Sequence, residues 1–138
     1  LNKLDPSEVF AVQYVLKTLI HELFHALQVF SGITSSPAKE IDAYLFQSLF
    51  GRAYGMDAQY YNGAIANTPV TQNEKNLTNA WNSFFDNGYS CSDYRDIYRY
   101  FLSGSPTNEP DENGLSMYGT PHALNPNKGG YAIYWFIP

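Results

Sequence analysis

The sequence predicts a mainly α fold with a small β component (α+β). It has about four helices, a long first helix packed on the second, a long C-terminal loop and a short C-terminal strand. Three observations carry this. Apolar residues recur at helical spacing in four stretches, most of them opening on a capping signal. Residues 104–130 hold four prolines and five glycines and sustain no period. The closing run YAIYWFIP is β-prone and aromatic, bounded by Gly129-Gly130 and Pro138. A chain of 138 residues is sized for one domain, 1–138, of two packed layers. It opens on Leu1 rather than Met and so reads as a processed chain or a piece of a longer one.

The first helix is announced by Asp5-Pro6-Ser7-Glu8: aspartate can cap, proline fits the first helical position, and Glu8 completes a capping box. Gly32 is its natural stop. The stretch between is apolar nearly all round, which predicts a central helix with neighbours on most sides. Ser36-Pro37 starts a second helix through IDAYLFQSLF to about Gly51 or Gly55. The connection over residues 32–36 is short, so the two helices should lie adjacent and antiparallel. Thr71-Gln72-Asn73-Glu74 is another capping box, followed by Leu77, Trp81, Phe84 and Phe85 on one face. A fourth helix runs from about Ser92 to Ser103 with Tyr94, Ile97, Tyr98 and Phe101 on its apolar side. A loop as long as 104–130 in a compact domain is usually functional or mobile.

Composition narrows the function classes. The net charge is −5 and only 15% of residues are charged, so there is no basic footprint for nucleic acid. The most apolar run, residues 9–30, is interrupted by Gln13, Lys17, His21, Glu22, His25 and Gln28, which argues against a membrane span. The single cysteine, Cys91, excludes an internal disulfide framework and leaves the compartment open.

The chemistry lies in TLIHELFHALQVF, residues 18–30. His21 and His25 are one helical turn apart on one face, so their imidazoles can converge on a point, with Glu22 beside them. Two neutral imidazoles converging near a carboxylate suit a zinc ion, with the carboxylate able to take a proton from a metal-activated water. With this composition, His-Glu-x-x-His arises by chance in about 0.3% of such chains, so a hydrogen-bonded core is the weaker explanation. Tyr14, Thr18, His21, His25 and Gln28 form a polar seam down an otherwise apolar helix, and buried polar groups need partners. Glu40, Tyr44, Gln47 and Gly51 repeat the same spacing on the second helix, which makes Glu40 the natural third ligand and leaves a fourth zinc position for water.

IHELFHALQ followed by KEIDAYLFQ resembles the active-site core of the gluzincin metallopeptidases, a branch of the zincins in which HExxH is joined by a glutamate from a later helix. The likeness covers about residues 14–50. It implies a zincin-like helical core, one zinc ion held by His21, His25 and Glu40, Glu22 as general base, and a peptide or protein substrate. Many gluzincins carry an acidic residue four positions after the ligand glutamate, where this chain has Tyr44. They also usually have a sheet before the active-site helix, whereas only about 20 residues precede His21 here. Asp57 in GMDAQYYNG and His122 in MYGTPHALN are alternative third ligands, and His122 is also a candidate oxyanion-stabilising catalytic residue. A non-catalytic zinc-binding or protein-interaction module with a vestigial site is the alternative to an enzyme.

Overall fold

A computed structural model describes residues 3–31, 37–56, 65 and 68–103 of the chain. Among these residues there are four helices: α1 Pro6–Phe30, α2 Pro37–Ala53, α3 Gln72–Asp86 and α4 Cys91–Ser103. The mainly helical architecture is therefore as the sequence predicts. The proposed C-terminal loop and strand lie outside the described residues, as do Asp57 and His122.

The helix starts follow the capping chemistry. Asp5 accepts from the backbone of Ser7 and Glu8 while the Glu8 carboxylate accepts from the Asp5 backbone, closing the box ahead of Pro6. The Ser7 hydroxyl, which also donates to Asp5, and then these backbone donors hold the Asp5 carboxyl below its ordinary value. Thr71 and Glu74 form the second box, and backbone N–H groups of Thr71 and Val70 lower the Glu74 carboxyl in the same way. Helix α2 ends at Ala53, between the two predicted glycines. Gly51 is buried inside the helix, and Gly55 takes the left-handed turn at φ 65°.

The core is built by three helices. Ala38, Ile41 and Leu45 of α2 pack with Leu77, Ala80, Trp81 and Phe84 of α3 and with Tyr94, Ile97, Tyr98 and Leu102 of α4. Two buried polar links tie these helices together. Trp81 donates its indole N–H to the Ser48 hydroxyl at 3.3 Å, and the Tyr94 hydroxyl donates to Asp42 at 2.5 Å. Asp42 thus faces α4, away from Glu40, as its position two residues further along the helix requires.

Helix α1 joins this core through α2. Ile20, His21, Phe24 and Gln28 are its buried residues, and Phe24 stacks on Phe46 beside Ala43. Contacts pair residue 28 with 39, 25 with 40 and 21 with 44, so the partner's number rises as the first falls, and the hairpin is antiparallel. The expectation that α1 is the central helix needs correction. Among the described residues that position belongs to α2, which packs against both α1 and α4. On α1, Val12, Leu16, Leu19, Leu23, Leu27 and Phe30 form an exposed apolar stripe. Leu23 stands two residues, or about 200° of helix, from His21, so the stripe lies on the side turned away from α2. Burial follows from which face meets a neighbour, and overall apolarity does not decide it.

Candidate metal centre

Helix geometry assembles the centre from two elements. His21 and His25, one turn apart on α1, turn toward α2, and the antiparallel register sets Glu40 in the first turn of α2 opposite them. The Nε2 atoms of His21 and His25 are 3.0 Å apart, with their rings edge-on at 85°. One Glu40 oxygen lies 3.4 Å from Nε2 of His21 and the other 3.1 Å from Nε2 of His25. These three side chains are the one cluster among the described residues able to offer an ion three ligand atoms, all within 4.8 Å of one another. The imidazoles are mostly buried, with 11% and 18% of their side-chain surface exposed, whereas Glu40 is half exposed.

These separations bear on what the site can hold. Bonds of 2.0–2.1 Å at tetrahedral angles put neighbouring ligand atoms roughly 3.3 Å apart. The 3.0 Å between the imidazole nitrogens, and the approach of one Glu40 oxygen to each of them at 3.4 and 3.1 Å, are each near that spacing, and two imidazole nitrogens with one carboxylate are a donor set suited to a divalent transition metal. Burial, reinforced by the neighbouring His25, holds the His21 imidazole below its ordinary value of 6.5 against the pull of Glu40 and Glu22. Its neutral form, the one that ligates metal, is therefore favoured at neutral pH.

An open groove of about 240 Å³ adjoins the cluster, lined by Lys17, Thr18, His21, Glu22, Tyr44 and Gln47. Glu22 is exposed and lines it beside His21, where a proton acceptor could reach a water held by the cluster. The Tyr44 ring packs on His21 with centroids 4.5 Å apart, and burial, aided by Glu40 and Glu22, raises its hydroxyl so that it stays a donor at neutral pH. A second groove of similar size, lined by Asn76, Asn79, Ser83, Asp93 and Asp96 among others, lies between α3 and α4 and involves neither histidine.

The structure thus brings His21, Glu22, His25 and Glu40 to one place. The polar seam is only partly in the interface, since Tyr14 and Thr18 are exposed. Tyr14 instead carries the Lys17 ammonium over its ring at 4.7 Å. Sequence reasoning missed Lys17 as a groove residue. The signal was there, since it precedes His21 by one turn on the same face. No profile of a known protein family matches the chain, and comparison with curated proteins and with solved structures finds no match.

Proposed function

We propose that the chain is a zinc-dependent peptide hydrolase with one ion held by His21, His25 and Glu40. The observation that carries this reading is the convergence of His21, His25 and Glu40, whose ligand atoms all lie within 4.8 Å of one another, beside a groove that also contains Glu22. When bound there, a zinc ion would supply Lewis acidity toward a water and a scissile carbonyl. The two imidazoles and the Glu40 carboxylate would hold the ion, and the groove beside His21 would admit water and substrate. Glu22 takes the proton of the attacking water and passes it to the leaving nitrogen, as its exposed position at the groove wall allows. The Tyr44 hydroxyl, kept protonated, supplies a neutral donor on the opposite wall.

Glu22→Gln tests the mechanism. The variant should bind zinc as the wild type does and hydrolyse a mixed peptide library at least about 100-fold more slowly. Undiminished turnover in Glu22→Gln would remove Glu22 from the mechanism. The exposed apolar stripe on α1 favours a second reading, in which the chain is a protein-interaction module and its metal centre is structural. That reading expects the zinc-loaded wild type to cleave no peptide at all.

A further inference from the structure

Gln28 is fully buried at the foot of the centre and makes two side-chain hydrogen bonds. Its amide nitrogen donates to the backbone carbonyl of Lys39 at 2.9 Å. A carbonyl can only accept, so the NH₂ end of the amide must lie there and the oxygen must lie at the other end. That oxygen stands 2.8 Å from Nδ1 of His25. Two acceptors do not share a hydrogen bond, so Nδ1 of His25 carries a proton and, in the neutral ring, Nε2 is left bare. Nε2 is the atom facing His21 and Glu40.

We propose that Gln28 is a positioning residue that sets the tautomer of His25, holding its Nε2 as a lone pair aimed at the metal position. The consequence for metal affinity rests on the zinc reading above, whereas the tautomer does not. The same amide anchors the carbonyl of Lys39, the residue before Glu40, so one buried side chain relates the α1 ligands to the α2 ligand. His21 has no equivalent support: among the described residues its buried Nδ1 has no hydrogen-bond partner. With its proton on Nε2, His21 donates across the 3.0 Å gap to the bare Nε2 of His25 in the metal-free protein, and its Nδ1 is left as an acceptor with no donor among the described residues.

Two variants separate the acceptor from the packing. Gln28→Leu and Gln28→Glu both lose the donor to Lys39, but only Gln28→Leu loses the acceptor for His25. Nitrogen-15 spectra of the metal-free, full-length chain report the tautomer directly, with the His25 signals assigned by their loss in His25→Ala. The wild type and Gln28→Glu should show His25 protonated on Nδ1, and Gln28→Leu should show a mixture. Zinc affinity, read by competition with a chromophoric chelator, should fall roughly 10- to 100-fold in Gln28→Leu and recover most of that in Gln28→Glu. A wild-type His25 protonated on Nε2, or equal losses of affinity in the two variants, overturns the proposal. Wild-type zinc affinity in His25→Ala would instead refute the zinc reading, and the tautomer spectra would still decide the role of Gln28.

Discussion

At the scale of single residues, the two histidines are supported differently. His25 is held by Gln28, whereas His21 is buried against Tyr44 with its Nδ1 unpartnered among the described residues. This asymmetry has a pH consequence. The folded chain holds the His21 pKa below the ordinary 6.5, so at lower pH the unfolded chain takes up a proton there that the folded chain resists. The stability of the metal-free protein should therefore be full above that value and fall as pH drops below it, levelling once the folded form also protonates. Urea midpoints between about pH 8 and pH 5 measure this, and His21→Gln should flatten the slope. The His-Glu-x-x-His spacing made these ligands legible in the sequence, because one helical turn converts it into a face. The pairing of Gln28 with His25 was not legible, since it depends on where the Lys39 carbonyl arrives from the next helix.

Among the elements, α2 is the hinge of the design. One of its faces meets α1 at the candidate centre, while another builds the core with α3 and α4. Phe84, fully buried where α3 meets that core, should cost about 3–5 kcal/mol when truncated to alanine. Phe30, 95% exposed at the end of α1, should change stability by less than about 0.5 kcal/mol on the same substitution. Denaturant unfolding of the two variants checks both values. Helix starts were readable from the sequence because capping is local: Asp5 with Glu8 and Thr71 with Glu74 close as their spacing dictates. The rank of α1 was not readable. Its all-round apolarity suggested a central place, yet only the face carrying Ile20, Phe24 and Gln28 is buried, and the less apolar α2 takes the centre.

For the whole molecule, the proposed ion joins α1 to the α2–α3–α4 core, so binding and folding should be linked. Zinc at about 100 times its Kd should stabilise the fold by about 2.7 kcal/mol, a rise in Tm of roughly 10 °C at this chain length. Among the described residues no helix is long and apolar enough to cross a membrane, as the polar interruptions of residues 9–30 predict. The helical hairpin followed from the short connection over residues 32–36, and the turning of Glu40 toward His21 and His25 from the matched spacing of the two helices. Which of its faces another surface covers depends on tertiary contacts that no periodicity encodes. The most direct test of the central claim is a zinc titration with metal analysis of the wild type beside His25→Ala and Glu40→Ala. The wild type should bind one zinc per chain, and each variant should lose at least about 100-fold in affinity, more than a hydrogen-bonding partner of a ligand is worth. Full zinc affinity in Glu40→Ala would contradict the assignment of the site.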